Sequence, residues 1–145
     1  MLFSKRRVEP DESTAYLFVY GSLMRGMERA AFINNSHKAR FVAEGVTAGK
    51  LYDLGSFPGM VEGENGSLVQ GELYEILDPE TFFATLDLIE GCWLDQPERS
   101  LYLRRPVRVM TSAGEKTAWA YFLNLPVAGL PEILSGDYRQ LSPSA

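Results

Sequence analysis

Cysteine and histidine are nearly missing from this chain, with one of each, Cys92 and His37, in 145 residues. A lone cysteine excludes an internal disulfide and any CxxC redox or zinc pattern. With one histidine, a Ser/His/Asp or Cys/His nucleophilic machine would have to run through His37. That residue stands in the polar run NNSHKAR (34–40), whose ordinary reading is a surface loop. Basic charge is scarce as well. Fourteen Lys and Arg against nineteen Asp and Glu give a formal net charge of −5, which argues against a nucleic-acid partner, because phosphate neutralisation needs a Lys/Arg stripe. The one basic cluster, Lys5-Arg6-Arg7, is followed by Glu9, Asp11 and Glu12 and reads as a solvated tail rather than an anion contact. No apolar run approaches the ~18–20 residues of a membrane span, and the first residues lack the apolar stretch of a signal peptide. The expectation is a cytoplasmic protein with no membrane partner. Nothing in the sequence sets an oligomeric state.

What is present fits one domain: the length suits a single core, and 46% hydrophobic with 23% charged residues is ordinary globular composition. Residues 1–15 read as a flexible lead-in, 16–140 as the domain and 141–145 as a tail. YLFVY (16–20) has the apolar, β-branched character of a buried strand, and ERAAFINN (28–35) can form a short helix. Residues 40–52 predict one long strand or two, bent at Gly45 and Gly49. The glycine-rich segment 53–67 reads as a loop with an extended piece at 59–62 and a turn at Asn65-Gly66; LVQGELYEIL (68–77) then returns as a strand, so 59–77 predicts a hairpin. The grammar of the next element is clearer. Asp78 as N-cap, Pro79 at the first helical position, Phe82, Phe83, Leu86 and Ile89 at helical spacing, and Gly91 as the stop predict a helix over 79–90. Strands at 101–112 and 116–124 flank a Ser-Ala-Gly turn. This is not strict βαβ alternation. It predicts an α+β fold, a small, mixed, mostly antiparallel β-barrel with a few helices packed outside.

Three stretches carry candidate chemistry. Gly21-Ser22-Leu23-Met24-Arg25-Gly26 has the G-x-x-x-x-G spacing of a phosphate loop, but Met27 and Glu28 stand where Lys and Ser/Thr belong, which removes nucleotide binding. A strand ending in Gly-Ser before a helix can still aim several N–H groups at a carboxylate or oxyanion; equally, it is a tight turn that needs glycine's freedom. Glu90 closes the 79–90 helix, where the macrodipole disfavours negative charge, and lies beside Ile89, Cys92 and Trp93. Both effects raise a carboxylate pKa and suit it to proton transfer. The competing reading makes Glu90, or Asp87 three residues earlier, a solvated surface acid. Finally, Tyr102 and Arg104 share one strand face, as do Trp119 and Tyr121. Each pair is either a pocket wall or an ordinary strand face.

Together, VYGSLMRG (19–26), LYDLGSFPGMV (51–61), VQGELYEI (69–76), LDLIEGCW (86–93), YLRRPVRV (102–109), AWAYF (118–122) and SGDY (135–138) resemble, in order and spacing, the γ-glutamylcyclotransferase-like family, which includes γ-glutamylamine cyclotransferases. The resemblance implies the family's small mixed barrel. It implies that Tyr20, Gly21, Ser22 and Leu23 contact the γ-glutamyl group and that Glu90 is the catalytic acid/base; Tyr102, Arg104 and Tyr121, on the strand faces just named, are the further substrate-binding candidates. The implied reaction is an intramolecular acyl transfer of carbon–nitrogen lyase type. The α-amine of a γ-glutamyl amine or amino acid attacks its own γ-carbonyl, giving 5-oxoproline and a free amine. It calls for no metal or organic cofactor and for a small-molecule γ-glutamyl partner. The alternative from another class is a non-catalytic small-molecule-binding or regulatory domain that keeps the pocket.

Overall fold

The computed structural model describes residues 14–63 and 66–141. Its elements are β1 (Thr14–Val19), α1 (Ala30–Ser36), β2 (Ala39–Ala48), β3 (Lys50–Asp53), β4 (Pro58–Val61), β5 (Leu68–Leu77), α2 (Pro79–Glu90), β6 (Tyr102–Thr111) and β7 (Gly114–Leu123), with single 3₁₀ turns at Pro97–Arg99 and Tyr138–Leu141. The strand order β1-β5-β2-β6-β7 closes on itself through a parallel β1–β7 contact at Leu17 and Trp119. The other pairings around that ring are antiparallel, so the barrel is mixed, as expected. β4 continues along the same edge of β7 (Met60 beside Phe122), and β3 pairs with β4.

The run YLFV is apolar on consecutive residues because both faces of β1 are covered. Phe18 points into the barrel with Leu73, Val69, Val109, Ala118 and Ala120. Leu17 and Val19 point outward to a second core with Leu23, Met24, Ile33, Phe82, Phe83 and Leu86. That second core is where α1 and α2 dock, with Phe32 tilted against Phe82 at 5.5 Å and Phe82 edge-on to Phe83 at 5.4 Å. Phe82, Phe83 and Leu86 are almost wholly buried, each worth about 1.5–3 kcal/mol by removal from water. Ile89, on the same periodicity, is 43% exposed instead.

Helix α2 spans the expected 79–90, although Asp78 sits at φ 54° and its side chain makes no capping bond, and its end turns at Gly91, where the Cys92 N–H donates to Asp87 O. The long 40–52 segment is two strands, broken at Gly49 and bulged between Phe41 and Ala43. The first strand begins at Thr14, two residues earlier than expected; the rest of the lead-in, most of the 141–145 tail and Asn65 of the expected Asn-Gly turn lie outside the described residues. One expectation is overturned. Residues 59–77 are not a hairpin: β4 pairs with β3 across the turn that Leu54 N–H closes onto Phe57 O, and β5 pairs with β1 and β2. Both segments carry strand signals, but their partners are chosen by barrel closure rather than by sequence proximity.

Candidate active site

Where β1 ends, the chain crosses the mouth between the barrel and α2. The Val19–Leu23 segment, Phe18, Arg29, Phe57, Pro58, Glu90, Tyr102 and Tyr121 line one concavity. A second depression continues past Glu28, Ser56, Ile89 and Leu101, sharing Ser22, Arg29, Phe57, Glu90 and Tyr102 with the first. Glu90 and the Gly21–Leu23 turn, nearly seventy residues apart, thus line one cavity.

The two glycines of the turn serve different ends. A Cβ on Gly21 would sit 2.8 Å from Pro58 Cγ, so the position is kept bare by close approach of β4 rather than by its dihedral angles. Gly26 has φ +81° and open space around it, a conformational requirement alone. Between them Met24 N–H donates to Gly21 O at 3.0 Å. Among the described hydrogen bonds, the N–H groups of Gly21, Ser22 and Leu23 donate to no protein atom outside regular structure. The far end of the turn is fastened by Glu72, 1% exposed on β5. Its Oε1 accepts from Arg25 N–H (3.0 Å) and Tyr74 O–H (3.0 Å), and its Oε2 from Arg25 Nε (3.2 Å).

Glu90 is 7% exposed. Burial pushes its carboxyl above the ordinary range; the Arg29 guanidinium pulls against this by charge and hydrogen bond, and nearby Asp87 adds to the rise. Arg29 Nη2 donates to Glu90 Oε2 at 3.1 Å while its Nε donates to Ser22 Oγ at 2.7 Å. Asp87 is equally hidden, so neither of these two acids is a solvated surface group. Arg104 grips Asp87 with two bonds, Nε to Oδ1 (2.8 Å) and Nη2 to Oδ2 (3.0 Å), and Tyr121 O–H donates to Oδ1 at 2.6 Å. The Arg104 guanidinium lies over Phe83 (4.5 Å) and Trp119 (4.8 Å), behind the lining rather than in it.

The tyrosines line the cavity with hydroxyls already engaged. Tyr20 O–H donates to Tyr121 O at 2.6 Å and accepts from Met60 N–H at 3.1 Å; Tyr102 O–H donates to Pro58 O at 2.5 Å. Burial drives all three phenols upward, so they are neutral at physiological pH and Glu90 is the one carboxylate of the inner lining. Arg29 escaped the sequence reading. It was absorbed into the predicted ERAAFINN helix, whereas α1 begins at Ala30 and leaves Arg29 on the approach loop. Among the described residues, no group of three or more His, Cys, Asp and Glu converges to hold a metal.

Residues 17–140 match the family described as gamma-glutamyl cyclotransferase, AIG2-like. A Methanocaldococcus jannaschii protein is 34% identical over 128 residues, covering 86% of this chain and 95% of its own length. The Escherichia coli gamma-glutamylcyclotransferase family protein YtfP is 35% identical over 123 residues, covering 84% and 94%. Its solution structure aligns with a TM-score of 0.60 at 31% identity over 85% of this chain and 95% of that one. The crystal structure of a mouse AIG2-like protein reaches a TM-score of 0.69 at 25% identity, covering 90% of this chain and 91% of its own.

Proposed function

Because the chain belongs to the gamma-glutamyl cyclotransferase, AIG2-like family, we propose that it cyclises a γ-glutamyl amine or γ-glutamyl amino acid to 5-oxoproline and releases the free amine. The observation that carries this reading is the buried Glu90 carboxylate facing the Gly21–Leu23 turn across one cavity. The α-ammonium of the substrate is not a nucleophile until it loses a proton. Glu90, with its pKa raised by burial toward that of the ammonium, accepts this proton. The freed amine then attacks the γ-carbonyl carbon, and the carbonyl π-electrons move onto oxygen, where N–H groups of the turn stabilise the oxyanion. Return of the proton from Glu90 to the leaving nitrogen lets the C–N bond break and the carbonyl re-form, while the second proton of the ring nitrogen passes to the Glu90 carboxylate and departs with the released amine as its ammonium. Atoms balance without water or cofactor. Nucleophile and electrophile share one molecule, so much of the acceleration comes from holding the substrate bent into a near-attack shape. Tyr20, Tyr102 and Tyr121 supply the walls that enforce the bend, Arg104 holds the Asp87–Tyr121 wall in place, and the leaving amine extends into the second depression.

The test is 5-oxoproline formation from a panel of γ-glutamyl amines and dipeptides. Wild type should produce it, and Glu90→Gln should lose activity by at least the 10²–10⁴-fold typical of removing a general acid/base while retaining ligand binding. Equal turnover by Glu90→Gln would sink the assigned role. Binding of the panel without product from any member would favour a non-catalytic small-molecule-binding domain instead.

A further inference from the structure

Arg29 stands at the boundary of the two depressions and lines both. Its backbone N–H donates to Ser22 O at 2.8 Å, its Nε to Ser22 Oγ at 2.7 Å and its Nη2 to Glu90 Oε2 at 3.1 Å. The other structured guanidiniums nearby are committed elsewhere, Arg25 to Glu72 and Glu44, and Arg104 to Asp87. Arg29 alone is both in the lining and open, with 41% of its side chain exposed. Among the described residues its Nη1 donates to nothing. The Ser22 hydroxyl holds the guanidinium and the Ser22 carbonyl holds the Arg29 backbone, neither bringing a charge of its own, so a ligand meets a preorganised cation rather than a free-swinging one.

A charge and its opposite held 3.1 Å apart in a pocket wall are complementary to a group that carries both signs on one carbon. The α-carbon of a γ-glutamyl compound does this, bearing an ammonium and a carboxylate. We propose that Arg29 is the receptor for the substrate's α-carboxylate, so that the Arg29–Glu90 pair reads the amino-acid end of the substrate as a zwitterion. Only one orientation matches the charges. It places the ammonium against Glu90, where its proton must go, and the carboxylate against the outer edge of Arg29. The N–H groups of the turn are then free for the γ-carbonyl oxygen. The inference rests on the cyclisation reading for its substrate, but the carboxylate site itself is tested without turnover.

The experiment is calorimetric titration of 5-oxoproline and of its α-carboxamide, 5-oxoprolinamide, into wild type, Arg29→Gln and Arg29→Lys. A charge-assisted bond to a carboxylate predicts that wild type prefers the acid by roughly tenfold or more. Arg29→Gln should bring the two ligands within about twofold of each other, and Arg29→Lys should keep part of the preference as a point charge. Loss of Glu90 positioning alone would weaken both ligands together and leave their ratio unchanged. The Arg29 side chain is 41% exposed, so the variants should fold as wild type does, which a thermal melt on each checks. A wild type without preference, an Arg29→Gln protein that keeps it, or no binding of either ligand overturns the proposal. Carboxylate preference lost in Arg29→Gln, in a protein that forms no 5-oxoproline, would uphold the site and sink the cyclisation reading.

Discussion

Asp87→Asn is the substitution whose cost follows most directly from the structure. The wild-type carboxylate takes two bonds from Arg104 and one from Tyr121, with side-chain exposures of 15% for the arginine and 8% for the aspartate. Asparagine keeps an acceptor for Tyr121 but leaves the guanidinium enclosed between Phe83 and Trp119 with no counter-charge. Removing one partner of a buried pair costs about 3–5 kcal/mol. The retained hydrogen bond puts this case near the lower end, about 3 kcal/mol. For a chain near 150 residues that lowers Tm by about 6–12 °C. Circular dichroism melts measure it, and the double variant Asp87→Asn with Arg104→Met isolates the cause. Methionine fills the slot between the two rings without a charge, so the double variant should recover at least half of the loss. A single variant melting within about 2 °C of wild type would put the pair in the class of surface salt bridges. A double variant worse than the single would show that the guanidinium is stabilised by the aromatic rings alone.

Two further expectations concern the cavity. In the unfolded chain Glu90 titrates at its ordinary value, 4.5, and in the folded protein it titrates higher. Between those values the folded state holds a proton that the unfolded state has released, so stability falls as pH rises through that window. Glu90→Gln should remove this fall, which urea denaturation at a series of pH values from 4 to 8 would detect; parallel pH curves would refute it. Gly21→Ala places a methyl 2.8 Å from Pro58 Cγ, so β4 or the turn must shift, at a cost of about 1–3 kcal/mol. In the oxoproline assay KM should rise, whereas unchanged kinetics would show that the turn does not touch substrate.

Much of the barrel was legible because its signals are local. Helix α2 carries its own start and stop, and the β6–β7 hairpin is joined by a short turn between strands of matched character. The false 59–77 hairpin shows the limit. The strand content of Met60 and Leu73 was readable, but Met60 belongs beside Phe122 and Leu73 beside Phe18, and neither pairing leaves a trace in nearby sequence. The site divides the same way. Helix-end polarity and apolar neighbours marked Glu90 as a carboxylate with a disfavoured charge. Asp87 gave no such mark, since its burial depends on Arg104 and Tyr121 arriving from two distant strands. Arg29 was invisible for a related reason: an arginine ahead of a short helix is unremarkable until Ser22 and Glu90 close around it.

The hydroxyl of Tyr20 joins two strands that share one edge of β7. β1 leaves that edge after Leu17 meets Trp119, and β4 takes it over where Met60 meets Phe122. At the gap between them Tyr20 O–H donates a hydrogen bond to Tyr121 O and accepts one from Met60 N–H, standing in for a missing rung of backbone. A tyrosine ahead of a Gly-Ser step is therefore a signature of how this barrel is sealed, and by itself says nothing about whether chemistry takes place beside it. A chain could keep the Tyr20 seam and lose the reaction. In the reading proposed above, it is the opposed charges of Arg29 and Glu90, which the seam does not require, that tie this fold to a particular ligand.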